Sequence, residues 1–144
     1  MTLNHIAEQV QQLVNAETAV IALSENGGSA IFYAAAVGKH AAFIQGTRSP
    51  VATSGLCGAV LQSGQSALVC QPQTDVRIRQ DLAEQLDITT ALAVPVKYNG
   101  AVVGALMVLN RRDGEAFTPA AKQALADYAG AISGAICPQI LPET

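Results

Sequence analysis

Two of the chain's three cysteines fall in one stretch, SGLCGAVLQSGQSALVC, running from Ser54 to Cys70. Small residues surround both thiols, and the stretch holds no aromatic side chain. A cysteine at the start of a helix feels the positive end of the helix dipole, which lowers its pKa and raises the thiolate fraction. Cys57 stands at such a place if Gly55 to Ser63 is helical, and would then be a reactive thiol. An unpaired cysteine among small apolar neighbours is also a common buried filler. Both readings fit the residues.

A bond between Cys57 and Cys70 is a geometric question. A helix from Cys57 to Ser63 advances about 9–10 Å, and a strand ending at Cys70 returns about 13–16 Å. The thiols come back alongside one another, but a helix axis lies about 10 Å above the sheet it covers, and a disulfide needs Cα atoms within about 7 Å. Proximity without a bond is the expectation. Cys137 is too far along the last helix to serve as a third partner.

Other ligand-bearing residues are sparse. His5 and His40 are the only histidines; His5 falls on the polar side of a helix and His40 in a loop. No Cys/His cluster has zinc spacing, so zinc and haem are both disfavoured. Asp75, Arg77, Arg79 and Asp81 form the densest charged group. Arg77 could hold a carboxylate or phosphate bidentately. It could equally pair with Asp81 at i, i+4 on a solvated helix face.

These residues need elements to position them. Leu3, Ile6, Val10, Leu13 and Val14 form the stripe of a first amphipathic helix. TAVIAL reads as a buried strand, ENGG as a hairpin turn and SAIFYAAAV as the partner strand. Gly38 to Thr53 reads as a long loop. Ser54 can cap the helix that follows, and Gly64 can end it. SALVC is the next strand. Thr74 or Asp75 can cap a helix carrying Ile78, Leu82 and Leu86. TTALAVPVKY and AVVGALMVLN are strands joined by Asn99-Gly100, the strongest hairpin signal in the chain. The second is apolar on both faces, so both should be covered. Thr118 and Pro119 start the last helix, and Cys137-Pro138 should end it. Pro95 removes a ladder donor and belongs at an edge or bulge.

Composition narrows the function. The chain has 144 residues, half of them hydrophobic and 13% charged, with eight basic and eleven acidic residues. That suits one packed domain over residues 1–144. The net charge of −3, without a basic run or any Trp, argues against nucleic acid. No apolar run reaches membrane length, and no signal peptide is visible, so a cytoplasmic location with reduced thiols is expected.

The order helix, hairpin, loop, helix, strand, helix, hairpin, helix resembles the GAF domain family. Three stretches carry the likeness: SGLCGAVLQSGQSALV resembles the family's Gly-rich helix, ALAVPVKYNGAVVGALMVLN its best-marked hairpin, and FTPAAKQALADYAGAIS its closing helix. The resemblance covers nearly the whole chain. It implies an α/β, PAS-like fold: a five- to six-stranded antiparallel sheet with helices on both faces and the terminal helices paired. It further implies a sensor or dimerisation module and places Pro95 near a ligand pocket.

The family's sites match only in part. The free methionine-(R)-sulfoxide reductases carry a Gly-x-Cys-Gly helix similar to GLCG here, which matches Cys57 to one of their cysteines. Their attacking cysteine has no counterpart in DVRIRQDLAEQLDITTA. Bilin-binding members commonly place a histidine after the attachment cysteine, whereas Gly58, Gln71 and Pro138 follow the cysteines here. Cyclic-nucleotide members show an Asn-Lys pair, a Phe and an Asp-Glu pair. Asn110, Arg111 and Phe117 match, but Ala121 and Lys122 stand where the acids should be. Asn110 and Arg111 are expected to fix the loop after their strand.

The resulting expectation is a non-enzymatic, small-molecule-binding regulatory module that signals through a homodimer or a partner protein. Its ligand wall would comprise Leu56, Cys57, Val60, Cys70, Arg77, Ala93 and Pro95, with the cofactor unknown. The alternatives are a thiol-redox sensor or reductase-like protein using Cys57, and a dimerisation domain with a degenerate, filled pocket. Ala126, Gly130 and Gly134, at four-residue spacing on the last helix, mark the expected dimer contact.

Overall fold

A computed structural model describes residues 2–25, 28–51, 55–70, 84 and 87–140, with side chains through residue 134. The elements in chain order are α1 (Leu3–Leu13), β1 (Ala16–Glu25), β2 (Ala30–Gly38), α2 (Ala41–Ile44), β3 (Arg48–Pro50), α3 (Leu56–Ser63), β4 (Ala67–Val69), β5 (Ala91–Tyr98), β6 (Ala101–Arg111) and α4 (Pro119–Ile140). All six strands form one antiparallel sheet in the order β3-β2-β1-β6-β5-β4.

Strand β6 lies between β1 and β5 and is covered on both faces, as its two-sided apolar pattern requires. Leu106 and Val108 pack toward α1 and α4 with Ile6, Val10, Leu92, Val94 and Leu125. Ala105 and Leu109 pack toward α2 and α3 with Ile44, Leu56, Cys57 and Val60. The terminal helices therefore share one sheet face, and the Tyr128 hydroxyl in α4 donates to Gln9 Oε1 in α1 at 2.6 Å.

Local chemistry sets the boundaries. Thr2 Oγ1 accepts from His5 N at 3.1 Å and starts α1. Thr118 Oγ1 accepts from Ala121 N at 3.1 Å and starts α4, with Pro119 first in the helix. Asn99 and Gly100 both take positive φ, 52° and 81°, as a two-residue hairpin needs. A Cβ on Gly104 would fall 2.4 Å from the carbonyl oxygen of Ala22, so only glycine lets β6 approach β1 there. One register irregularity in the β1–β2 pair, at Ile21/Ala22, leaves Ala34 unmatched.

The structure departs from the sequence reading at several places. The expected loop from Gly38 to Thr53 contains α2 and β3. Strand β3 pairs with β2 only from Ala30 to Phe32. Past that point, backbone bonds between Tyr33 and Thr47 (2.9 Å) and between Gly46 and Tyr33 (2.8 Å) cover the β2 edge. Gln45 Oε1 accepts from Ala36 N at 3.1 Å in the same strip. Of the expected α1 stripe, Leu13 is exposed, while Val14 is buried as expected although it lies just past the helix end. Helix α4 continues through Pro138 to Ile140. Proline's fixed φ is compatible with a helix, but the ring costs a backbone bond and crowds the preceding turn; the helix passes Pro138 by only two residues before ending at Ile140.

Pro95 sits in β5 two residues past Ala93, the last residue there with a partner in β4. A missing ladder donor costs least at such a local edge, and the β5–β6 register shifts at the next step, Val96/Lys97. Among the described residues no helix is long and apolar enough to cross a membrane. Asn26-Gly27, Ser54, the charged group Asp75, Arg77, Arg79 and Asp81, and the stripe Ile78, Leu82 and Leu86 lie outside the described residues.

Candidate functional site: the α3 face

Helix α3 is held by glycines at both ends. Gly55 caps its start at φ 68°, and Gly64 ends it in the left-handed region at φ 69°, its N–H donating to Val60 O at 2.8 Å. Between them Leu56, Cys57, Gly58 and Val60 are buried. They meet a floor dominated by alanine: Ala22 of β1, Ala67 of β4, Ala91 and Ala93 of β5, and Ala105 of β6. The opposite face of the same strands carries Ile21, Leu92, Val94 and Leu106. The asymmetry follows from strand alternation, with successive side chains on opposite faces.

The expected site residues divide accordingly. Leu56, Cys57, Val60 and Ala93 come together in one buried cluster. Pro95 is half-buried at its border. Cys70 is exposed at the end of β4, and both it and Cys57 are free thiols. Arg77 lies outside the described residues.

The electrostatics of Cys57 reverse the expectation of a lowered pKa. Burial pushes the thiol from an ordinary value of 9.0 up to about 12. A low-dielectric surround penalises thiolate more than the helix start favours it. The thiol donates instead to Met107 Sδ at 3.5 Å. Among the described residues no group of three or more His, Cys, Asp or Glu could hold a metal ion.

A buried polar hub stands at one end of this face. Asn110, at φ 60°, accepts at Oδ1 from Thr89 N (2.7 Å), Thr89 Oγ1 (3.0 Å) and Thr90 N (3.3 Å). Its Nδ2 donates to Asp87 O at 2.9 Å and Glu17 Oε1 at 3.3 Å. Arg111 donates to Ala116 O at 3.0 Å and pairs with Asp113. Arg111 does fix the loop after β6, whereas Asn110 bonds residues 87–90 ahead of β5 and Glu17 rather than that loop. The sequence signal was a polar residue closing an apolar strand; partners as far off as Glu17 were not legible.

A second concavity lies at the sheet border. Gly64, Gln65, Ser66, Pro95, Lys97, Ala126 and Gly130 line an open cleft of about 300 Å³. Lys97 Nζ reaches within 4.0 Å of a Cβ built on Gly64, placing an ammonium by the C-terminal end of α3, where a cation is favoured. Gly130 and Gly134 on α4 are exposed, and a Cβ on either would meet nothing within 4 Å. Close packing among the described residues therefore does not account for these two glycines.

The GAF domain family model matches residues 2–136. Solved structures agree in fold. The GAF domain of Acinetobacter phosphoenolpyruvate-protein phosphotransferase superposes with a TM-score of 0.79 at 22% identity, covering 94% of this chain and 80% of that one. A GAF domain/HD domain protein from Geobacter sulfurreducens gives 0.78 at 16%, covering 95% and 91%. A type II free methionine-R-sulfoxide reductase from Thermoplasma acidophilum gives 0.76 at 13%, covering 96% and 92%. No curated protein sequence matches significantly. The chain belongs to the GAF domain family, a family of sensor and regulatory modules.

Proposed function

We propose that this GAF domain is a non-enzymatic regulatory module that acts by self-association through α4, with α1 alongside. The observation that carries this reading is the pair of exposed glycines, Gly130 and Gly134, with open space where their Cβ atoms would stand. Glycine inside a helix costs about 1 kcal/mol relative to alanine. Two of them four residues apart, after a half-buried Ala126, make a shallow strip against which a second backbone can lie closely. A two-fold pairing of this strip would be self-complementary. Light scattering at micromolar concentration tests the reading; a strictly monomeric wild type would end it.

A second reading keeps a small molecule on the α3 face, and the alanine floor favours it. Small side chains let a ligand approach the strands closely wherever α3 gives way. As it stands, Leu56, Val60 and Ala93 are covered by their own neighbours, so a ligand would have to displace packed side chains. Native mass and visible absorption of freshly purified protein test for a retained molecule. The thiol-redox and reductase reading is opposed by the buried, protonated Cys57, because the thiolate is the nucleophile.

A further inference from the structure

The two faces of the sheet carry different helices, and one hydroxyl links the backbone at the end of β4 to the backbone just ahead of α4. Thr90 is 1% exposed. Its Oγ1 donates to Val69 O, at the end of β4, at 2.9 Å. The same oxygen accepts from Phe117 N at 3.1 Å. The Val69 side chain packs in the α3-face core, while that of Phe117 packs in the core under α1 and α4. Phe117 directly precedes Thr118, the cap of α4. Thr90 itself is held by Asn110, whose N–H donates to Thr90 O at 2.9 Å and whose Oδ1 accepts from Thr90 N at 3.3 Å.

We propose that Thr90 is a positioning residue that couples packing on the α3 face to the start of α4. The physical basis is the shared oxygen. A hydroxyl that donates becomes a better acceptor, so its two bonds strengthen or weaken together. A shift of Val69 that lengthens the first bond loosens the second, and with it the approach to the α4 cap. A valine at this position would fill similar space while offering neither bond, and would leave Val69 O and Phe117 N without their buried partner. The inference depends on the regulatory reading for its meaning, since it gives α4 a way to register events across the sheet.

The test is a double-mutant cycle read by amide hydrogen exchange. Val60→Ala loosens the α3 face, Thr90→Val removes the hydroxyl, and the Phe117 amide is read relative to Leu106 at the centre of β6. That ratio separates local opening from global unfolding. In the Thr90 background Val60→Ala should speed relative exchange at Phe117 by about threefold or more; in the Thr90→Val background the factor should fall to about one. Thr90→Ser, which keeps the hydroxyl, should preserve the coupling. An unchanged ratio on Val60→Ala, or the same factor in both backgrounds, overturns the proposal. Should the Thr90→Val chain fail to fold, the Phe117 amide proton shift is read in Val60→Ala alone. Movement supports the coupling and an unmoved resonance overturns it. Neither a ligand nor a dimer enters the experiment, so a negative result here leaves the association reading standing.

Discussion

The Cys57 thiol points at the thioether of Met107, 3.5 Å away across the gap between α3 and β6. Two soft, polarisable groups meet in this part of the core; Met107 is half-buried, but Cys57 is fully buried and out of reach of solvent-borne reagents. Cys57 should therefore resist maleimide at pH 8 in the folded protein, while exposed Cys70 reacts. Peptide mapping after brief labelling checks the assignment, and rapid labelling of Cys57 in folded protein would contradict it.

The same burial predicts a pH dependence. The folded pKa of Cys57 is raised to about 12 from an ordinary 9.0. Between those values the unfolded chain sheds a proton that the folded chain keeps, so stability is full below pH 9 and falls as pH rises. The slope from this group approaches about 1.4 kcal/mol per pH unit. Urea melts at pH 8 and pH 10 should show the loss, and Cys57→Ala should flatten that part of the profile.

Gly104→Ala should destabilise the fold by about 1–3 kcal/mol, because the new methyl meets the Ala22 carbonyl in the middle of a strand pair that cannot easily separate. The denaturant midpoint should fall with the slope unchanged. A wild-type midpoint would show that β1 and β6 shift apart at little cost.

Asn110 separates two contributions. Asn110→Ala removes the acceptor for Thr89 and Thr90 and keeps a Cβ at positive φ, so a loss of about 2–4 kcal/mol is expected. Asn110→Gly loses the same bonds without the backbone penalty, and should be about 1 kcal/mol milder. Chemical denaturation of both variants checks the order, and the reverse order would show that φ 60° is not strained here.

Gly130→Leu should abolish the proposed dimer while leaving the monomer folded, since the residue is exposed and leucine favours helix more than glycine does. Light scattering should read the dimer mass for wild type and the monomer mass for the variant, with Kd raised about 100-fold or more. A dimer indifferent to this change would place the contact elsewhere.

Helices α1, α3 and α4 and the β5–β6 hairpin were legible because their signals are local: apolar periodicity, capping residues and Asn99-Gly100. Helix α2 and strand β3 were not, because four and three residues are too short to show a period. They exist by pairing with β2, through contacts such as Gln45 to Ala36. Cys57 shows the same limit in energetic form. Its place near a helix start was legible, but a dipole contributes only about 0.3–1 kcal/mol. Complete desolvation outweighs that, and depth of burial is set by the alanine floor and Met107, none of them adjacent in sequence. Sequence likewise placed Leu56, Val60 and Ala93 together, whereas the way their own side chains fill the space required the packed structure.

The sheet ends on both sides in strands of only three residues, β3 and β4, and β3 closes with a proline. Beyond them, Gln45 and its neighbours satisfy the β2 border, and Pro95 interrupts the β5 border. A fibril or a swapped strand needs a long, flat row of free backbone donors and acceptors on which to grow. Among the described residues each border offers a few residues at most before the ladder is capped or broken. Growth by strand addition is thereby starved of a template, and the chain can remain hydrophobic over half its residues without polymerising through its sheet.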